Sequence, residues 1–398
     1  MSIIEQEDQF CAHNYHPLPI VLARGRGVFV WDDSGKRYFD MMSAYSAVSH
    51  GHLHPRLVSA LNTQLTQLAV VSRAFYTDKL APFLQKACEL TGQDKALPMN
   101  TGAEAVETAI KAARKWAYTV KGVEADKAEI ITCDGNFHGR TISIVGFSTE
   151  EQYKNGFGPF PKGFTNIPFG DAPALEKAIT PNTAAFLVEP IQGEGGIIVP
   201  PEGYLRECAN ICRQHNVLLI CDEIQTGLGR TGKLLASEHD EVIPDGLILG
   251  KALGGGLLPV SMFLSRKEVM DVFTPGDHGS TFGGNPLASA VGLEALNMTV
   301  EKTLPDISDK LGKHFMNELK GFNSPLVKEV RGKGLLIGVE IDEKYAKARD
   351  VCEALMKNGL LTKETHETVV RFAPPLIITQ SELDDAIAII KSTLESLN

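Results

Sequence analysis

The chain has 398 residues, more than one hydrophobic core ordinarily organises, so two domains are expected. Its 43% hydrophobic and 22% charged residues describe a globular protein, and a formal net charge of −10 argues against nucleic acid or an anionic membrane as a general partner. No apolar stretch is long enough to cross a bilayer, and the acidic opening Met1-Ser2-Ile3-Ile4-Glu5-Gln6-Glu7-Asp8 is unlike a targeting signal. The seven scattered cysteines are expected as reduced thiols in the cytoplasm.

Residues 1–44 read as an extended arm with two short strands, Gly27–Asp32 and Arg37–Asp40, either side of the turn Asp33-Ser34-Gly35. His50, His52 and His54 alternate in Ser49-His50-Gly51-His52-Leu53-His54-Pro55. The Gly and Pro punctuation there reads as a loop rather than a metal centre, and no metal is expected. From 45 to 304, helical patterns alternate with apolar strands, among them Glu129–Cys133, Ala185–Glu189, Val217–Asp222 and Asp245–Lys251. One helix opens at Asn100-Thr101-Gly102-Ala103-Glu104, where Thr101 and Glu104 have capping-box spacing and Val106, Ile110, Ala113, Ala117 and Val120 continue one apolar face. Cys208 and Cys212, four apart on an expected helix, read as core packing because no second ligand pair follows.

Beyond 305 the texture changes. A helix over Ile307–Leu319 leads to strands at Val327–Val330 and Leu335–Glu340, then a helix over Tyr345–Lys357 and a strand at Val369–Phe372. The last helix opens with the capping pattern Thr379-Gln380-Ser381-Glu382 and places Leu383, Ile387, Ile390, Leu394 and Leu397 on one face. The expected architecture is α/β: a large domain over 45–304, with a mostly parallel sheet covered by helices, and a smaller α+β domain over 305–398. The 1–44 arm is expected to pack with the smaller domain.

Two of the apolar runs carry the chemistry. Val217-Leu218-Leu219-Ile220-Cys221 delivers Asp222, and Leu247-Ile248-Leu249-Gly250 delivers Lys251 before a triple glycine. Strands of this kind are buried on both faces of a parallel sheet, and their carboxyl ends form the ligand crevice. A lysine and an aspartate aimed into one crevice fit pyridoxal 5′-phosphate, with the lysine carrying the cofactor as a Schiff base and the aspartate keeping the pyridinium nitrogen protonated. Singly, Lys251 fits a solvated charge, and Asp222 fits a helix cap or metal ligand. Gly250-Lys251 also brings to mind the phosphate loop of a nucleotide-binding module, but Gly246 is one residue too close and Ala252 stands where Ser or Thr is required. The joint pattern decides.

That pattern resembles the class III, or ω-type, aminotransferases of the fold-type I pyridoxal-phosphate enzymes. The resemblance runs from Asn14-Tyr15-His16-Pro17-Leu18-Pro19 to Arg371-Phe372-Ala373-Pro374-Pro375, through Asn136-Phe137-His138-Gly139-Arg140-Thr141 and Gly156-Phe157-Gly158-Pro159-Phe160. The blocks Ser43-Ala44-Tyr45-Ser46-Ala47-Val48 and Ser72-Arg73-Ala74-Phe75-Tyr76 are similar to the ornithine branch. The resemblance implies transfer of the δ-amino group of L-ornithine to 2-oxoglutarate, giving glutamate and glutamate 5-semialdehyde, which cyclises to pyrroline-5-carboxylate. Acetylornithine and 4-aminobutyrate are the alternative donors within the family. It also implies roles residue by residue. Lys251 and Asp222 are catalytic. Gly102 and Ala103 give backbone amides to the phosphate at a helix start, where an anion is favoured. Phe137 stacks on the pyridine ring, and Gln225 bonds the ring hydroxyl. Thr281 reaches the phosphate of the neighbouring subunit, which implies a homodimer. Arg140 and Arg371 take carboxylates, Glu194 pairs with Arg371, and Tyr15 and Tyr45 line the substrate's path.

Overall fold

The computed structural model describes residues 1–397, and Asn398, the end of the expected 305–398 domain, lies outside the described residues. Strands β1 (Leu22–Arg26), β2 (Phe29–Asp32) and β3 (Arg37–Asp40) form an antiparallel meander near the N-terminus. Seven strands follow: β4 (Lys95–Met99), β5 (Glu129–Cys133), β6 (Phe164–Ile167), β7 (Thr183–Val188), β8 (Leu218–Asp222), β9 (Gly246–Leu249) and β10 (Ser261–Ser265). They pair in the order β4, β10, β9, β8, β7, β5, β6. The run from β9 to β6 is parallel throughout, and β10 is antiparallel to both its neighbours. β7, β8, β9 and β10 are buried at every residue, as their uninterrupted apolar runs require.

Toward the C-terminus, β11 (Val327–Lys333), β12 (Leu336–Ile341), β14 (Lys363–Thr365) and β15 (Val369–Phe372) make an antiparallel sheet. The two-residue strand β13 (Leu360–Leu361) instead runs parallel to β3 and so completes the N-terminal sheet. The burial follows this division. Helices on both faces of the seven-stranded sheet enclose two apolar clusters, one around Phe83, Phe186 and Leu249 and one around Val106, Ile220 and Phe263. A third cluster joins Val28, Phe39 and Met41 of the arm to Phe315, Ile337, Phe372 and Ile390 near the C-terminus.

Several local expectations shift. Ile3–Phe10, read as part of an extended arm, is a helix closed by a Ser2/Glu5 capping box, although none of its residues is buried. Val120 does not join the apolar face of its helix and is 47% exposed. The Gly102–Trp116 helix widens into a π-turn at Ala117–Lys121, whose longer repeat rotates Val120 off the buried stripe. The helix expected from Tyr345 begins at Ala348, because Asp342 holds 342–346 in a turn through its side chain and carbonyl. β9 stops at Leu249. Gly250 stays extended, and Lys251, at φ 44°, opens a short 3₁₀ turn that lifts it off the sheet's end.

The Leu304–Lys320 helix meets the turn between β11 and β12 backbone to backbone. A Cβ at Gly312 would lie 2.0 Å from the carbonyl oxygen of Gly334, and no rotamer change could relieve that contact. Gly312→Ala should therefore cost about 1–3 kcal/mol as an overpacked contact. A thermal-unfolding midpoint equal to that of the parent chain would show that this helix is free to move away from the turn.

Candidate active site

The carboxyl ends of β7, β8 and β9 open into one cavity of about 210 Å³, lined by Gly102, Ala103, Phe137, His138, Glu189, Glu194, Asp222, Gln225 and Lys251 among others. Because these strands are neighbours in the sheet, Glu189, Asp222 and Lys251 follow one another along its edge. The structure thus brings together every sequence-predicted cofactor residue except Thr281, which sits on an exposed loop. The adjacent Ser280 accepts a hydrogen bond from Asn100 Nδ2 at 2.8 Å.

Burial pushes the Lys251 amine below the usual lysine range, with Arg371 acting in the same direction and Glu194 and Asp222 opposing. Asp222 is itself buried. Its Oδ2 lies 2.7 Å from His138 Nδ1, and its Oδ1 accepts from the Ile224 amide at 3.1 Å. Burial alone would lower the His138 pKa, but the Asp222 hydrogen bond and charge raise it overall, so the ring is held as a donor to the carboxylate. Glu189 accepts from the Phe137 amide at 2.8 Å and the Gly193 amide at 3.3 Å. Burial, reinforced by the Asp222 charge, lifts its pKa to about 7.

One end of the cavity is a helix start. Thr101 and Glu104 close a capping box through the amides of Thr101 and Glu104, which leaves the Gly102 and Ala103 amides without intrachain partners among the described residues. Phe137 meets Tyr153 edge-on at 6.0 Å, and the Arg140 guanidinium lies 3.9 Å above the Tyr153 ring and 5.5 Å from that of Phe137. Arg140 is exposed.

At the other wall, Arg371 is 1% exposed and donates through Nη1 to Glu194 Oε1 at 2.5 Å. Gln225 Nε2 donates to the same oxygen at 3.1 Å, while Gln225 Oε1 is buried without a partner. Burial would raise the Glu194 pKa, but Arg371, Lys251 and Gln225 together bring it below the usual carboxylate value. A Cβ at Gly193 would fall 1.5 Å from Gln225 Oε1, so a larger residue there would displace the Gln225 amide from Glu194. The Arg371 guanidinium also stands 4.7 Å above the Tyr45 ring. Tyr45 and the 68%-exposed Tyr15 line a second, apolar hollow of about 400 Å³. The Glu194–Arg371 pair therefore stands between the two hollows.

His138, Glu189 and Tyr153 escaped the sequence reading. Glu189 carried the same signal as Asp222 and Lys251, a lone charge ending an apolar strand, and His138 lay inside the block quoted for Phe137. Tyr153 gave no local signal. The three histidines of 50–54 go to separate partners: His50 to Ala295 O and Thr299, His52 to Asp40, and His54 to the Arg56 amide as a helix cap.

Residues 10–394 match the aminotransferase class-III family model, and the chain belongs to this family. It is 57% identical over 390 residues to an ornithine aminotransferase of Geobacillus sp. strain WCH70, covering 98% of this chain and 97% of that protein. The ornithine aminotransferase of Toxoplasma gondii, whose active site carries partially occupied PLP, superposes with a TM-score of 0.97 at 48% identity, covering 99% of this chain and 94% of the other. An acetylornithine aminotransferase from Elizabethkingia anophelis superposes with a TM-score of 0.90 at 49% identity, covering 99% and 98% of the two chains. The cofactor is pyridoxal 5′-phosphate. The cavity fits it, with free helix-start amides for a phosphate, an unpaired Gln225 oxygen for a hydroxyl and a buried carboxylate for a ring N–H.

The Glu189 carboxyl offers a pH test. Its folded pKa of about 7 lies above the ordinary 4.5, so its contribution favours the fold below pH 4.5 and is lost as the pH rises toward 7. The stability of the parent chain relative to Glu189→Gln should accordingly decline from pH 4.5 to 7 and level off above. Melting curves of both proteins across this range check it, and a difference independent of pH would mean that Glu189 stays ionised throughout.

Proposed function

We propose that the chain transfers the δ-amino group of L-ornithine to 2-oxoglutarate, yielding glutamate and glutamate 5-semialdehyde, which closes to pyrroline-5-carboxylate. The observation that carries the reading is the pairing of the buried Arg371 with the half-buried Glu194 on the rim of the cofactor cavity. When bound, pyridoxal 5′-phosphate supplies a carbonyl that takes the amino group and a protonated ring that draws electrons from the reacting carbon.

The residues divide the remaining work. Lys251 holds the cofactor and, once released, moves the proton at the substrate's δ-carbon, a task suited to an amine whose pKa burial has lowered. Asp222, oriented by His138, keeps the ring nitrogen protonated in a site shielded from water. Gly102 and Ala103 hold the phosphate, Phe137 stacks on the ring and Gln225 bonds its hydroxyl. Tyr15, Tyr45 and Arg140 receive the amino-acid end of ornithine, which has no carboxylate near the reacting carbon. Glu194 keeps Arg371 neutralised in that half-reaction and withdraws when 2-oxoglutarate brings its α-carboxylate to the same place.

The chain acts as a homodimer in which Thr281 completes the partner's phosphate site, a reading supported by its exposure and by its not lining its own cavity. It works in the cytoplasm, in keeping with seven cysteines that are all free thiols. Among the described residues no helix is long and apolar enough to cross a membrane. A division into an arm to residue 44, a cofactor domain to 304 and a small domain beyond is supported by the separate apolar clusters and by the arm's packing on the last of them.

Borohydride reduction of the holoenzyme followed by peptide mapping should place the pyridoxyl group on Lys251, and label on another lysine would overturn the assignment. Lys251→Ala should lose roughly 10²–10⁴-fold in turnover, the range for a positioned proton-transfer group. Stopped-flow half-reactions with ornithine, acetylornithine and glutamate test the choice of substrate. The parent chain should react with ornithine well ahead of acetylornithine, and Glu194→Ala should shift preference from ornithine toward glutamate. An unchanged ratio of glutamate to ornithine in the variant would make the pair a static ion pair.

A further inference from the structure

Arg230 has no exposed surface, yet no carboxylate meets its guanidinium at hydrogen-bond distance among the described residues. Burying a guanidinium is unfavourable unless its donors are all directed at specific acceptors. Here Nε is buried without a partner, but the two terminal nitrogens join three distant segments. Nη1 donates to the carbonyls of Leu335, at 3.0 Å, and Pro374, at 2.6 Å. Nη2 donates to the hydroxyls of Ser43, at 3.2 Å, and Ser49, at 2.9 Å.

Ser43 and Ser49 bracket an unusual piece of backbone. Ser43, Ala44, Tyr45 and Ser46 all have positive φ, at 43°, 46°, 60° and 76°. Four consecutive non-glycine residues in the left-handed region are sterically disfavoured, so the surrounding structure must hold them there. Asp40 caps the entry through the amides of Met42 and Ser43, Ser43 Oγ donates to Ala373 O at 2.6 Å, and Ser49 Oγ donates to Ser46 O at 2.8 Å. Arg230 therefore holds both serine hydroxyls that fasten the turn. The turn's product is the placement of Tyr45 beneath Arg371. Arg371 itself is anchored differently, through ladder pairing with Gly338 and Lys363 inside its sheet.

We infer that Arg230 is a positioning residue for ornithine recognition: it fixes the left-handed turn at Ser43–Ser46 and so sets Tyr45 against Arg371. This rests on the reading of Tyr45 as a substrate contact. Loosening the clamp disturbs the donor that needs Tyr45 and spares the one that needs only Arg371.

The test compares Arg230→Lys, which keeps the charge but loses the planar fork, with Ser43→Ala, which removes one acceptor from the turn and carries the test if the arginine variant does not fold. Each is measured beside Tyr45→Phe and the double variant Arg230→Lys/Tyr45→Phe, as holoenzymes. Arg230→Lys and Ser43→Ala should raise the KM for ornithine about tenfold, the scale of one misdirected charge-assisted hydrogen bond, and leave the glutamate half-reaction and the cofactor absorbance within about twofold. Adding Arg230→Lys to Tyr45→Phe should change ornithine KM no further. If Tyr45→Phe raises ornithine KM while Arg230→Lys and Ser43→Ala weaken both half-reactions alike, or affect thermal stability alone, Arg230 is a structural staple and the inference fails by itself. A silent Tyr45→Phe overturns the reading of Tyr45, and the inference with it.

Discussion

A charged side chain inside a strand buried on both faces is costly unless it is paired, so such strands most readily deliver their charges where they end, and this constraint shapes the cofactor site. β7, β8 and β9 are neighbours, buried along their whole length, and each hands one ionisable residue to the same sheet edge: Glu189, Asp222 and Lys251. An ionisable group in such a low-dielectric cavity is either paired or shifted in pKa. Asp222 takes His138 and the Ile224 amide, and Glu189 takes two backbone amides. Lys251 Nζ has no hydrogen-bonded partner among the described residues, and its amine is the one with a depressed pKa. The group left without a fixed partner is the one proposed to carry the cofactor and then be set free.

The substrate end is built on other principles. Glu194 lies on a loop that glycine brings close to Gln225, Tyr45 on a left-handed turn clamped from outside, and Arg371 on the antiparallel sheet near the C-terminus. Their relative positions depend on contacts between segments far apart in sequence. The cofactor end is therefore fixed by a single sheet, whereas the end that must accept two differently shaped substrates is assembled from separately held parts. Rigidity is concentrated where the geometry is the same in both half-reactions.

This difference also sets what the sequence discloses. The parallel core was legible because full burial leaves uninterrupted apolar runs, and the residues ending them were legible as chemistry. The C-terminal strands and helices appeared through their periodicity. Val120 was misplaced because a π-turn alters the helical repeat without a signal in residue type, and Ile3–Phe10 because its capping box acts without any buried face. His138 acts through Asp222, 84 positions away, and Tyr153 through Arg140 and Phe137. Contacts of that kind exist only once the loops are folded. Arg230 was hidden for the same reason, since nothing in Gly229-Arg230-Thr231 marks it as fully buried.

The Glu194–Arg371 pair has a further electrostatic consequence. Glu194 raises the proton affinity of Lys251 and Arg371 lowers it, so the two charges, paired at 2.5 Å, act on the amine in opposite directions. If Glu194 simply left, Arg371 would stand uncompensated and depress the Lys251 pKa further. Replacing Glu194 with a substrate carboxylate keeps the charge beside Lys251 the same in sign and number. In the proposed mechanism the amine therefore meets the same sign of charge in both half-reactions, although its two substrates differ in charge near the reacting carbon. A neutral side chain swinging away from Arg371 would achieve the steric exchange but not this balance, and that is the physical case for an acid at position 194.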